Sequence, residues 1–318
     1  MKKWIVLLLA VVFLIYQFRQ PDIRLHGEGT VISYKGLVQP TNYVGVGDDT
    51  CTAEKLTSID HVYIENTLPA ITHAFELGAD KIHLNVQVTA DNELAIFHDW
   101  TLECRTDGNG VTSKQTMEYL KKLDVGYGYR IAGSGEYPLR GLGVGLMTSL
   151  PEVLANFPGK EFLINMKTKQ PRAIKVLVEY LAGLSASQRE RLSFIGDQQI
   201  MAAVSEKFSE PRVYSEDIAK HCLLEYVLVG WSKNYPKACS HKNIILPEKY
   251  GKYLWGWPEQ FAARAQANGS YVYLYQTSQP YSINSDLRSK GIGLFTGDLI
   301  GLINANKLIQ PTTNVSVD

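Results

Sequence analysis

From residue 30 to residue 300 the chain alternates short apolar, β-branched runs with helical patterns. The runs are Thr30–Tyr34, Lys81–Val88, Glu93–Phe97, Glu161–Met166, Arg191–Ile195, Arg212–Ser215, Asn243–Leu246, Tyr271–Tyr275 and Ile292–Thr296. Between them, Thr67–Leu77 repeats Leu68, Ile71, Ala74 and Phe75 at helix spacing, with Gly78 as a stop. Thr116–Leu123, Leu150–Phe157, Ala173–Leu184, Ile200–Phe208 and Pro258–Asn268 read as further helices. Strand then helix, repeated, predicts a parallel sheet, and seven or eight repeats predict a closed (β/α)8 TIM barrel. Nine runs are one too many. The turn around Asp91-Asn92 is short, so Glu93–Phe97 is expected to return antiparallel to the run before it, which leaves eight. Residues 100–147 are rich in glycine and charge and hold one short helix. They read as a small cap insertion in a single domain spanning residues 22–318.

Composition narrows the function classes. The 32 basic and 32 acidic side chains cancel, and Lys2, Lys3 and Arg19 fall in the first 20 residues, which contain no acid. The remainder is therefore mildly acidic and lacks the basic stripe that nucleic acid requires. No nucleic-acid partner is expected.

Residues 1–21 stand apart from the barrel. After Lys2 and Lys3, Trp4 to Tyr16 contain no charge and no turn former. The layout is that of a secretory signal, but no small-residue cleavage site follows in Tyr16-Gln17-Phe18-Arg19-Gln20. The segment reads as an uncleaved membrane anchor with the domain on the extracytoplasmic side, in the periplasm or outside the cell. If it were cleaved, the domain would be secreted. Cys51, Cys104, Cys222 and Cys239 show no metal-ligand spacing. In an exported chain they form two disulfides by one of three connectivities; Cys51–Cys104 and Cys222–Cys239 are the pairs expected here.

Barrel enzymes place their chemistry at the C-terminal ends of the strands. Those ends read Tyr34-Lys35-Gly36, His83-Leu84-Asn85, Phe97-His98-Asp99, Asn165-Met166-Lys167 and Thr296-Gly297-Asp298. Alternation puts His83 and Asn85 on one face of their strand. Imidazole, amide, ammonium and carboxylate groups gather at one mouth.

Several stretches carry a resemblance. Glu65-Asn66-Thr67-Leu68, Phe75 to Asp80, Phe97-His98-Asp99, Leu102 to Gly110, Leu120 to Asp124 and Ser149 to Leu154 resemble the glycerophosphodiester phosphodiesterase family, in family order. The likeness runs over about residues 30–300, densely as far as Lys167. It implies a barrel with an inserted cap, acting on glycerophosphodiesters or lysophospholipids with Ca²⁺ or Mg²⁺. Thr50-Cys51-Thr52 and Trp255-Gly256-Trp257-Pro258 resemble an exported, disulfide-bearing branch. Independently of that, Trp255 and Trp257 read as packing residues.

The same resemblance exposes replacements. Where members carry His-Arg-Gly, with a catalytic His, this chain has Tyr34-Lys35-Gly36. Where members carry the metal-binding Glu-x-Asp, it has His83 and Asn85, and Asn165 replaces a third carboxylate. Glu65, His98, Asp99 and Lys167 carry over. Ca²⁺ and Mg²⁺ require oxygen ligands with carboxylates among them, so these replacements weaken the metal-assisted route. His98 is the expected acid/base group with His83 as its partner, Lys35 and Lys167 the phosphate-binding residues, and Glu65 and Asp99 the carboxylates left for a metal. Three readings follow: a family hydrolase with a rebuilt metal site, a metal-independent two-histidine phosphodiesterase, or a non-catalytic binder of small-molecule or lipid phosphodiesters.

Overall fold

The computed structural model describes Trp4 and residues 23–47, 50–167, 170–210, 212–214, 216–276 and 286–309. Apart from Trp4, the expected N-terminal anchor lies outside the described residues. Nine strands occur among them: β1 (Val31–Tyr34), β2 (Lys81–Val88), β3 (Leu94–Ile96), β4 (Glu161–Met166), β5 (Leu192–Ile195), β6 (Arg212–Tyr214), β7 (Asn243–Pro247), β8 (Tyr271–Gln276) and β9 (Gly293–Thr296). Eight are parallel strands, with at least one helix between each and the next parallel strand. β3 alone runs antiparallel, pairing Val86 with Ile96 and Val88 with Leu94, as the short Asp91-Asn92 turn predicts.

The chain divides into two compact units. The larger holds the described residues of 30–214, Gln276 and the described residues of 294–309. Its sheet runs β6-β5-β4-β2-β1-β9. All eight residues of β2 are buried, because neighbouring strands and packed helices cover both of its faces. The register sets Tyr34 beside His83, and Asn85 beside Asn165. Strand ends that are distant in sequence thereby become neighbours.

Helix Leu68–Glu76 fixes the end of β1. Gly36 has φ +80°, and a Cβ there would lie 3.0 Å from the carbonyl carbon of Ala70. Only glycine allows this approach, which brings Lys35 against Asn66: the Asn66 amide donates to the Lys35 carbonyl at 2.8 Å. Lys35 and Asn66 themselves sit at φ 59° and 62°, a region that non-glycine residues enter at a cost and mostly near functional sites.

Residues 100–147 contain the short helix Met117–Leu120 and contribute to an apolar cluster of their own. Leu102, Leu120, Leu123, Val125 and Leu139 pack there with Ala53, Leu56 and Ile64. The Cys51–Cys104 disulfide joins its two halves, with Cα atoms 5.4 Å apart.

The smaller unit holds the described residues of 23–29 with Glu216–Tyr275 and Asp286–Gly293. β7 and β8 pair in parallel from Asn243↔Tyr271 to Pro247↔Tyr275. Helix Glu216–Val229 is pinned by the second expected disulfide, Cys222–Cys239. The helical patterns of the sequence did not include this helix. Its apolar residues surround the axis, so it lacks the one-sided period by which helices are read. Of the two tryptophans expected to pack, Trp257 lies against Phe261, whereas Trp255 remains about half exposed.

Candidate active site

The residues expected at the mouth form one chain of alternating charge. Lys35 Nζ lies 2.8 Å from Glu65 Oε1. Glu65 Oε2 lies 3.4 Å from an Arg105 guanidinium nitrogen, and Arg105 Nε lies 2.8 Å from Asp99 Oδ2. The other Asp99 oxygen meets His98 Nδ1 at 2.6 Å. The order is ammonium, carboxylate, guanidinium, carboxylate, imidazole. Each buried carboxylate thus has a buried cation as counterion, without which desolvation would disfavour its charge.

Arg105 occupies the centre, and sequence reasoning placed it in a motif but not in the site. It donates to Tyr129 Oη at 2.8 Å and to Thr52 Oγ1 at 2.6 Å. Thr52 follows Cys51 and Arg105 follows Cys104, so the disulfide that joins the cysteines also brings these two residues together. A Cβ on Gly128 would lie 1.9 Å from the Cys104 carbonyl oxygen, so only glycine lets the Tyr129 segment lie against Arg105. The adjacency of Arg105 to a cysteine was the one available signal in the sequence. Tyr43 and Tyr129 were missed as well. Burial pushes the Tyr43 phenol up to about 12, against an opposing pull from Lys35.

The titratable groups respond to this enclosure. Burial is the largest influence on His98; with Lys35, Lys167 and Arg105 nearby it outweighs the Asp99 hydrogen bond and brings the imidazole down to about 4. Burial, Lys35, His98 and Lys167 hold His83 well below its ordinary value. Burial alone would raise Asp99, but Arg105 and the His98 contact hold it well below the usual carboxylate range. Glu65 is lowered likewise, its burial overcome by Arg105 and Lys35. At neutral pH both histidines are therefore neutral and both carboxylates charged.

His83 and Tyr34 stack with ring centroids 4.9 Å apart and 17° between planes. Phe295 of β9 packs against both rings. Tyr34 and His83 thus fill one space together, and Lys35 Nζ lies 4.8 Å from the centre of the Tyr34 ring. His83 Nδ1 and Asn85 Oδ1 are buried without a hydrogen-bond partner. Lys35 is almost fully enclosed, whereas His98 keeps 29% of its side chain exposed. Lys167 stands at the end of β4, its amide bonded to the Val86 carbonyl at 2.9 Å. A cavity of about 10 Å³ lies among Glu65, Asn66, His98, Arg105 and Tyr129, at the lower limit for one water molecule. Asp298, also at a strand end, is not in this group; it caps helix Leu299–Ile309, accepting from the Gly301 amide at 2.7 Å.

Comparison with known proteins places the arrangement. Residues 57–299 match the family model described as the glycerophosphoryl diester phosphodiesterase family. The chain belongs to that family. A glycerophosphodiester phosphodiesterase of Caldanaerobacter subterraneus is 35% identical over 36% of this chain and 48% of its own length. One from Bacillus subtilis is 31% identical over 40% of this chain and 42% of its own. The chain spans about half the length of the curated relatives that it matches first. Among solved structures, the glycerophosphoryl diester phosphodiesterase domain of a Mycobacterium tuberculosis protein aligns with a TM-score of 0.62 at 16% identity, covering 88% of this chain and 99% of that one. An Oleispira antarctica phosphodiesterase in complex with the product sn-glycerol-3-phosphate aligns with a TM-score of 0.54 at 17% identity, covering 88% and 97%. These likenesses establish the fold as the (β/α)8 barrel.

The family is generally dependent on a divalent metal. The residues of this chain do not fit one. Imidazole and amide groups, those of His83, Asn85 and Asn165, stand where the sequence resemblance implies metal ligands. The carboxylates that remain, Glu65 and Asp99, are already neutralised by Lys35 and Arg105. Among the described residues, no group of three or more His, Cys, Asp and Glu side chains is placed to hold a metal ion. Hard divalent cations need a shell of anionic oxygens, and here that shell is filled by the protein's own cations.

Proposed function

We propose that this chain hydrolyses glycerophosphodiesters or lysophospholipids by a metal-independent route in which His98 is the acid/base group. The observation that carries the reading is the 2.6 Å contact between His98 Nδ1 and Asp99. It fixes the ring and its tautomer and leaves Nε2 to exchange a proton with a ligand. A neutral imidazole suits a base at physiological pH. His98 takes a proton from an attacking water as the new P–O bond forms. The imidazolium, held by Asp99, returns it to the leaving oxygen as the ester bond breaks. Lys35 and Lys167 supply positive charge toward the phosphate, Lys35 through its field, since its ammonium is committed to Glu65. A family structure that holds sn-glycerol-3-phosphate supports a small phosphorylated ligand.

A second reading, binding without turnover, is favoured by one observation: the carboxylates that survive from the family site are engaged with internal cations. An assay of the full chain separates the two readings. Glycerophosphocholine and a lysophospholipid are supplied with Ca²⁺, with Mg²⁺ and with excess chelator. Turnover indifferent to chelator and abolished in His98→Ala supports the metal-independent route. Turnover abolished by chelator refutes it. No turnover, together with thermal stabilisation by glycerophosphocholine, selects the binding module.

A further inference from the structure

The C-terminal half of helix Glu216–Val229 carries apolar side chains on two faces. Cys222 and Tyr226 are fully buried on one, with Cys222 bonded to Cys239 and the Tyr226 hydroxyl donating to the Trp255 carbonyl at 2.7 Å. On the other, Leu224 and Leu228 are 68% and 72% exposed, and Trp231 follows at 45%. Positions 224, 228 and 231 have the spacing of one helical stripe. Trp255 joins this stripe, its indole N–H donating to the Val227 carbonyl at 2.8 Å. Tyr253, two residues earlier, is 62% exposed. An exposed apolar stripe of this kind, bordered by Lys220 and His221 toward the start of the helix, needs something to cover it.

We propose that this face docks on the surface of a phospholipid bilayer. Trp231, Trp255 and Tyr253 combine an apolar body with a polar edge, the chemistry enriched where hydrocarbon meets headgroups. Lys249 and Lys252 extend over the rings of Tyr250 and Tyr253, each 5.1 Å from a centroid. Such side chains lay their stems on an apolar surface and leave the charge among headgroups.

Ile23 belongs to the same compact unit as this face. Gln260 donates to the Ile23 carbonyl at 3.4 Å, and the His26 amide donates to Gln266 Oε1 at 3.1 Å, which ties the N-terminal strand of chain to helix Glu259–Ala267. The uncharged run Trp4 to Tyr16 ends seven residues before Ile23. Seven extended residue steps reach at most about 25 Å. With that run inserted in a bilayer, the unit is held within reach of its surface.

The test uses the full chain reconstituted in vesicles of phosphatidylcholine and phosphatidylglycerol. A nitroxide is attached at Leu228→Cys, or at Glu206→Cys on an exposed helix position of the larger unit as the control. Accessibility to oxygen and to a water-soluble nickel complex is measured for each. The expected result is a several-fold higher oxygen-to-nickel ratio at 228 than at 206, seen only when vesicles are present. Leu224→Glu, placed in the Leu228→Cys background, should return the ratio toward the control value while far-ultraviolet circular dichroism is retained. Equal ratios at 228 and 206 in vesicles would overturn the proposal. Protection at 228 without lipid would also overturn it. A concentration-dependent effect would then assign the face to a second copy of the chain, and a concentration-independent one to the Trp4–Tyr16 run.

Discussion

Replacing Arg105 with methionine removes the one cation that lies between two buried carboxylates. Arg105 contacts Asp99 at 2.8 Å and Glu65 at 3.4 Å, with only 4% of its side chain exposed. Methionine keeps much of the volume and none of the charge. Lys35 still faces Glu65, but among the contacts described here Asp99 keeps only a neutral imidazole. Removing one partner from a buried ion pair costs roughly 3–5 kcal/mol, because the remaining charge stays desolvated. At about 2.1 cal/mol/K of unfolding entropy per residue, this corresponds to a fall in Tm of about 5–8 °C for a chain of this size.

The pH dependence identifies the cause. In the native protein Asp99 and Glu65 titrate below their ordinary values. Their stabilisation is therefore present above the unfolded carboxylate pKa and is lost only as pH falls through the lower folded values. In the variant, burial without a counterion raises Asp99 instead, so it takes up a proton well before the native one does. The gap between the two proteins is expected to be full at pH 7 and to narrow by about half near pH 4. Denaturant titration followed by circular dichroism at the two pH values measures this. A loss below about 1 kcal/mol at pH 7, or the same loss at both pH values, would refute the role of Arg105 as counterion.

Further expectations concern the same framework. The imidazole carbon resonances of His98 should titrate with a midpoint near 4, so any rate limb that depends on His98 as a base falls as pH drops through that value; a midpoint near 6.5 would contradict the burial and cation argument. The two disulfides should differ in worth. By loop entropy, Cys51–Cys104, with a separation of 53 residues, contributes about 4 kcal/mol, and Cys222–Cys239, with a separation of 17, contributes about 3 kcal/mol. Paired Cys→Ala variants compared by denaturation should show that order. Only the first pair should also move the His98 midpoint, because it holds Thr52 against Arg105; the same shift from both pairs would show that the coupling is not local.

What could be read in the sequence was what neighbouring residues encode. β-branched runs, helix spacing and one short turn give eight parallel strands and an antiparallel return, because period and turn chemistry are local properties. His98 and Asp99 are adjacent in the chain, so their contact was within reach of a motif. Helix Glu216–Val229 escaped because an apolar surround has no phase to detect. The centre of the site escaped for a different reason. Arg105 draws its partners from Thr52, Glu65, Asp99 and Tyr129, and nothing in their spacing announces a meeting. Tertiary packing alone decided that Tyr34 and His83 fill one space and that Lys35 and Arg105 neutralise the carboxylates a divalent cation would need. Charges buried together choose one another through distance and desolvation, and the linear sequence records neither.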